Sequence, residues 1–180
     1  MLQAEEDLLV ISAQRGNHKA FNLLVLTYQK SLLRFAYKLC HDHELANDAV
    51  QDCWIKVSKN LYQLKDPRVF KSWLYRTLKW RVTDLLRTQL RDKNKCDNRL
   101  NKDFTGNNQE TDFEHTSDVK SERSNAINRL PAIEKQMIHL FYLDEMKLAE
   151  ISIILDIPVG TVKSRLNRAR KLLQQKFDLS

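Results

Sequence analysis

Residues 148–177 read Leu148-Ala149-Glu150-Ile151-Ser152-Ile153-Ile154-Leu155, then Asp156-Ile157-Pro158, then a long run from Val159 to Phe177. Both flanking stretches have helical periodicity, and the proline between them interrupts it. In the final run Val162, Leu166, Ala169 and Leu173 recur at steps of four, three and four, which makes one apolar stripe. Lys163, Ser164, Asn167, Arg168 and Lys171 fall on the opposite side, flanked by Arg165, Arg170 and Lys176, and no acidic residue occurs between Gly160 and Lys176. The pattern predicts a helix-turn-helix whose second helix enters a DNA groove. Lysine and arginine there neutralise phosphates and give salt-sensitive affinity. Arg168, Lys163, Asn167 and Ser164 can reach base edges, where a good bidentate pairing discriminates by ~1–3 kcal/mol. A solvated basic helix is the plainer alternative. The absence of acids beside a packed inner stripe favours DNA.

The whole chain agrees with that partner. Its 180 residues carry a formal charge of +7, with 30 Lys+Arg against 23 Asp+Glu, which favours a polyanion. Only three glycines and three prolines occur, and apolar residues recur at helical spacing. An all-α chain is therefore expected. No segment approaches the ~20 apolar residues that span a bilayer. The acidic start, Glu5-Glu6-Asp7, lacks the basic opening of a signal peptide, so a cytoplasmic location is expected. Cys40, Cys53 and Cys96 are odd in number and widely spaced, which suits reduced thiols.

Composition divides the chain into residues 1–91, a linker over 92–122, and residues 123–180. In the first part, one long helix carries Phe21, Leu24, Val25, Tyr28, Leu32 and Phe35 and ends near Cys40. A second begins near Glu44, with Ala49, Val50, Cys53, Trp54 and Val57 at three-and-four spacing. After a break at Pro67, a third runs from about Val69 to Arg91, with Phe70, Trp73, Leu74, Thr77, Leu78, Val82, Leu85 and Leu86 inward. Few apolar side chains follow, and seven acids face three bases between Asp97 and Glu122. Such a stretch lacks the apolar surface to order itself. Beyond it, Ile133, Met137, Leu140 and Phe141 supply the inner face of a small second helical unit, one only marginally stable alone.

Two further features carry chemistry. All three tryptophans, Trp54, Trp73 and Trp80, lie near Tyr62, Phe70 and Tyr75, interleaved with Lys65, Arg68, Lys71, Arg76, Lys79, Arg81 and Arg87. Aromatic faces among cations suit single-stranded nucleic acid, where a stacked base contributes ~1–3 kcal/mol. For any one ring, burial in the core is the stronger reading. Glu44, Asn47, Asp48, Gln51 and Asp52 form an acidic edge, which by itself suits the positive N-terminal end of a helix. Cys40-His41-Asp42-His43 lacks a second spaced pair of ligands, so no metal is expected. Glycine-rich phosphate loops and nucleophile motifs are absent from the sequence, and neither a cofactor nor an enzymatic activity is expected.

Taken in order, these segments resemble a bacterial sigma-70 family RNA polymerase sigma factor of the extracytoplasmic-function (ECF) group. The residues that carry the resemblance are Ala46-Asn47-Asp48-Ala49-Val50-Gln51-Asp52-Cys53-Trp54, Phe70-Lys71-Ser72-Trp73-Leu74-Tyr75-Arg76, Asp84-Leu85-Leu86-Arg87, Leu130-Pro131, Leu148-Ala149-Glu150-Ile151 and Pro158 through Arg170. The resemblance implies two small helical domains, sigma domain 2 and a helix-turn-helix sigma domain 4, on a flexible linker. It gives Asp48, Gln51 and Asp52 to a coiled coil of the RNA polymerase largest subunit. The loop 60–68, with Lys65 and Arg68, matches the one that captures a flipped minus-ten base. Lys71, Trp73, Arg76, Lys79, Trp80 and Asp84 match the region that reads and opens the minus-ten element. Lys163, Ser164, Asn167 and Arg168 match minus-thirty-five base readers, with Thr161 and Arg165 on the DNA backbone. Promoter DNA, core polymerase and an anti-sigma factor are the implied partners. A helix-turn-helix regulator acting without polymerase is the alternative. Two positions depart from the family: Trp80 stands where asparagine is common, and Asp156 replaces the usual glycine of the turn. A thirty-residue flexible segment spans about 30 Å on average, short of two duplex turns at ~34 Å each. Polymerase is therefore expected to hold the linker extended, and the free protein to be more compact.

Overall fold

A computed structural model describes residues 3–97 and 130–177, and among these every regular element is helical. Helix α1 (Gln3–Gln14) leads into α2 (His18–Cys40), α3 (His43–Asn60) and α4 (Phe70–Asp97). The C-terminal unit comprises α5 (Ala132–Ile138), a π-helical turn over His139–Leu143, α6 (Leu148–Leu155) and α7 (Val159–Phe177). The expected linker lies largely outside the described residues, although α4 continues six residues past Arg91 into it.

Local chemistry sets the helix ends. Asn17 caps α2, its side chain accepting from the Lys19 and Ala20 amides at 3.0 and 3.2 Å. Asp42 does the same for α3, accepting from the Leu45 amide at 3.0 Å. Between those helices His41 adopts the left-handed conformation at φ 55° and closes α2. Asp66 caps the short 3-10 turn that begins at Pro67, a residue preorganised for a first helical position. Glu150 accepts from the Lys147 amide at 2.7 Å, one half of a capping box on α6.

In the N-terminal unit α2, α3 and α4 pack around Leu24, Leu32, Phe35, Val50, Cys53, Val57, Phe70, Leu74 and Leu78, all without solvent exposure. The predicted inner faces of these helices are the ones that turn inward. One difference stands out. Helix α1, for which the sequence reading placed no helix, seals this core with Val10, while Gln14 donates to the Leu61 and Leu64 carbonyls at 3.0 and 2.7 Å. Its short apolar pattern is too weak to declare itself without those carbonyls. Tyr75, from the aromatic–basic stretch, is wholly buried against Phe35, with ring centroids 5.4 Å apart, as the stronger reading for any one ring expects.

In the C-terminal unit Met137, Leu140, Ile151, Ile154, Val162, Leu166 and Ala169 are buried, so the α7 stripe faces inward as its spacing predicts. Asp156 ends α6 at φ 58° and ψ 49°. Aspartate tolerates this conformation better than most residues, though less well than glycine. Ser152 secures the turn, its hydroxyl donating to the Ile157 carbonyl at 2.6 Å. The two units pack on each other, with α4 against α6 and the Phe35 and His139 rings 5.8 Å apart.

Truncating Leu78→Ala removes a fully buried side chain from α4, and an unfolding free-energy loss of ~2–5 kcal/mol is expected. Asn17→Ala, which removes only a cap, should cost about 1 kcal/mol. Denaturant titrations of both variants against wild type measure the contrast.

Candidate nucleic-acid and protein interfaces

Helix α7 presents its predicted readers as a set. Lys163, Ser164, Asn167 and Arg168 are all exposed, while Thr161 and Arg165 are half-buried at the edges of that face. The Ser164 hydroxyl donates to the Thr161 carbonyl at 3.0 Å, leaving its oxygen outward as an acceptor. Arg170 is diverted from this face: its Nε donates to the Tyr142 hydroxyl at 2.7 Å and its guanidinium lies 5.3 Å from the Phe141 ring.

The aromatic–basic stretch separates into inner and outer members. Trp54 is 8% exposed, donates to Gln29 Oε1 at 2.8 Å and meets Phe21 edge-on. Phe70 and Tyr75 are fully buried, and Trp73 is half-buried against Phe70. Trp80 and Tyr62 are the outward rings, 56% and 69% exposed. Lys56 lies over the Trp80 ring, its Nζ 4.0 Å from the centroid, a cation–π geometry that joins α3 to α4.

The predicted cations are engaged to different degrees. Lys65 is exposed. Arg68 folds back onto Asp66, with Nη2 to Oδ2 at 2.9 Å, and its guanidinium holds that carboxyl below the usual carboxylate range. Lys71, Arg76 and Lys79 all meet the C-terminal unit. Lys71 Nζ donates to the Asp144 carbonyl at 2.6 Å and Lys79 Nζ to the Leu155 carbonyl at 3.4 Å. Arg76 Nη2 approaches Asp156 Oδ1 at 3.9 Å. Burial lowers the Lys79 pKa, against the pull of Asp156.

On the acidic edge Asp48 and Gln51 are exposed on one face of α3, Asp48 one turn before Asp52 and Gln51 beside it. Asp52 is already partnered: Arg81 Nε donates to its Oδ2 at 2.8 Å, while Arg81 Nη1 bonds Asp84 Oδ2 at 2.8 Å. One guanidinium thus ties two predicted site residues on different helices. The hydrogen bond to Asp52 raises the Arg81 pKa, against the downward pull of burial. Arg81 escaped assignment because its i,i+3 relation to Asp84 is visible in sequence but the bond across to α3 is not. Lys56 escaped for the same reason.

The Cys40-His41-Asp42-His43 segment is occupied by structural contacts. Cys40 Sγ lies 3.2 Å from the Ala36 carbonyl, and His43 stacks on Tyr37 with centroids 4.2 Å apart. Among the described residues no group of three or more potential ligands could hold a metal ion. Cys53 is fully buried and burial pushes its thiol up to about 12, whereas Cys40 is only half-buried. None of the described helices is long and apolar enough to cross a membrane.

Comparisons with known proteins match two separate parts of the chain. The sigma-70 region 2 family model matches residues 24–92, and the sigma-70 region 4 model matches residues 124–173. The ECF RNA polymerase sigma factor SigW of Bacillus subtilis is 31% identical over 91% of this chain and 92% of its own. The ECF RNA polymerase sigma-E factor of Haemophilus influenzae is 30% identical over 97% of this chain and 96% of its own. Among solved structures, the sigma factor RpoE in complex with the anti-sigma factor NepR from Bartonella quintana superposes with a TM-score of 0.70. It shares 25% identity over 90% of this chain and 99% of that one. CnrH, in complex with the cytosolic domain of CnrY, shares the fold at a TM-score of 0.67. The chain belongs to the sigma-70 family of RNA polymerase sigma factors, in the ECF group.

The Asp52–Arg81 pair is about a third exposed on both sides, so solvent screening limits its strength. A double-mutant cycle of Asp52→Asn with Arg81→Met should give a coupling below about 1 kcal/mol that shrinks with salt. A salt-independent coupling of several kcal/mol would contradict this account.

Proposed function

We propose that the chain binds core RNA polymerase and directs it to promoters, contacting a minus-thirty-five element through α7 and opening a minus-ten element with α4 and the 60–68 loop. The observation that carries the proposal is the joint presence of three separate surfaces on one scaffold. They are the acid-free outer face of α7, the exposed Trp80 beside the α4 cations, and the exposed Asp48–Gln51 face of α3. A duplex-binding regulator uses the first surface and leaves the other two idle.

Each surface has a physical role. Lys163 and Arg168 supply charge and donors for duplex phosphates and guanine edges, and Asn167 matches adenine. Trp80 offers an indole face to an unstacked base, a substrate that exists only once the duplex opens. Lys71, Arg76 and Lys79 neutralise strand phosphates, and Lys65 and Arg68 flank the loop that holds the displaced base. Trp73 supports this helix from its half-buried position. Thr161 and Arg165 anchor α7 to the duplex backbone. Asp48, Gln51 and Asp52 face a basic surface of the polymerase, Asp52 sharing its charge with Arg81. The division into residues 1–91, a linker over 92–122 and residues 123–180 assigns the two DNA contacts to separate units. An anti-sigma factor that covers these surfaces would hold the protein inactive. Action on polymerase places the protein in the cytoplasm, and its part in initiation is to position polymerase rather than to make or break bonds.

Core-dependent run-off transcription is the test. Asp48→Lys should abolish core-dependent initiation while leaving the fold intact, because Asp48 is exposed on α3. Output at wild-type level would remove the docking site. Arg168→Ala should weaken binding to the upstream element by about 10- to 100-fold, the equivalent of ~1–3 kcal/mol, with core binding retained.

A further inference from the structure

The 60–68 loop, assigned above to the displaced base, is fastened by a helix that the assignment does not involve. Gln14, the last residue of α1, donates from its side-chain amide to two carbonyls, Leu61 at 3.0 Å and Leu64 at 2.7 Å. Those carbonyls bracket the 3-10 turn Leu61–Gln63, which has no side-chain cap of its own. Both amide hydrogens are used in this way, and the Leu61 carbonyl also accepts from the Leu64 amide at 3.1 Å. Leu61 is buried and Leu64 half-buried, so the turn is pinned on its inner side. Between them Tyr62 is left outward, its hydroxyl accepting from Gln63 Nε2 at 2.9 Å.

The clamp has a rigid base. Helix α1 closes in a Schellman pattern, the Asn17 amide donating to the Ser12 carbonyl at 3.2 Å and the Gly16 amide to the Ala13 carbonyl at 3.0 Å. Gly16 stands at φ 87°, where a side chain would be strained. The Asn17 side chain serves both helices: its oxygen caps α2 while Nδ2 donates to Ser12 Oγ at 3.1 Å. Val10 anchors α1 in the core, and α1 also packs against the 3-10 turn that begins at Pro67. Carbonyls of a surface turn can bond water instead, so stability alone gains little from Gln14. Its effect is to fix the direction in which the turn presents its outward side chain.

We propose that α1 belongs to the strand-opening machinery: Gln14 is a positioning residue that holds the Leu61–Gln63 turn so that Tyr62 offers its ring as a stacking face to the displaced base. The inference rests on the reading of the 60–68 loop as the one that holds that base. A phenol ring gives a base a flat apolar face whatever the sequence, and the exposed Lys65, three residues on, supplies charge for the adjoining phosphate. A turn already ordered by Gln14 does not lose its freedom when the base arrives, and that saving strengthens binding.

The test uses the full chain bound to core polymerase, with an oligothymidylate of about twenty nucleotides as the strand. Tyr62→Ala should weaken strand binding about tenfold, the scale of one stacked base. Gln14→Met keeps the side-chain length and loses both donors, and should weaken it about three- to tenfold. Gln14→Lys, whose ammonium can donate to both carbonyls, should restore most of the affinity. In the Tyr62→Ala background Gln14→Met should cost nothing further, an outcome that a general loosening of the fold would not produce. Thermal unfolding checks that each variant folds, and Gln14→Glu, equal in size and without the amide donors, replaces Gln14→Met if that variant does not. Wild-type affinity in Gln14→Met or its replacement, or an undiminished penalty in the Tyr62→Ala background, would overturn the clamp alone. So would wild-type affinity in Tyr62→Ala while Lys65→Ala, Arg68→Ala binds weakly. Wild-type affinity in both of those variants overturns the reading of the loop, and the clamp with it.

Discussion

Helix α4 is packed from two directions at once, and the rest of the structure depends on that constraint. Leu74, Tyr75 and Leu78 drive one side of it into α2 and α3, where burial of apolar surface supplies the main stabilisation. Its flank carries Lys71 to the Asp144 carbonyl, and Arg76 and Lys79 to the C-terminal end of α6. Phe35 connects the two environments, its ring 5.4 Å from Tyr75 and 5.8 Å from His139. A helix held so firmly on one side can present cations on the other without losing its orientation when their partners change.

The contacts made by those cations differ from the core in kind. A fully buried leucine or aromatic side chain contributes ~1.5–3 kcal/mol by leaving water, whereas Arg76 and Asp156 remain 56% and 85% exposed and are screened. The contacts these cations make between the units are therefore weak and salt-sensitive. Asp144 is buried at the same seam. Its carboxyl oxygens are nearly inaccessible, with Arg34 Nη2 3.9 Å and His139 Nε2 3.3 Å away.

Much of the fold was legible from spacing. The α7 stripe, the α2 and α3 inner faces and the break at Pro67 follow from apolar steps of three and four and from proline geometry. Helix α1 was not legible, because its seat depends on Gln14 reaching carbonyls about fifty residues away. The sequence did not separate Tyr75 from Trp80, because alternation with bases looks the same whether a ring faces solvent or core. For the candidate site, the outer face of α7 follows directly from helical phase. The roles of Arg81 and Lys56 do not, since each acts across a helix–helix seam.

What the sequence by itself determined is the set of helices, their apolar faces and the distribution of charge. Those are properties of one segment at a time, governed by a 3.6-residue period and by local capping. Only the tertiary structure decided which charges are available. It spent Arg81 on Asp52 and Asp84, left Trp80 outward beneath Lys56, and set Asp156 against Arg76. The physical reason is that electrostatic partnership depends on distance in space, and helices far apart in the chain meet only after their apolar faces have packed.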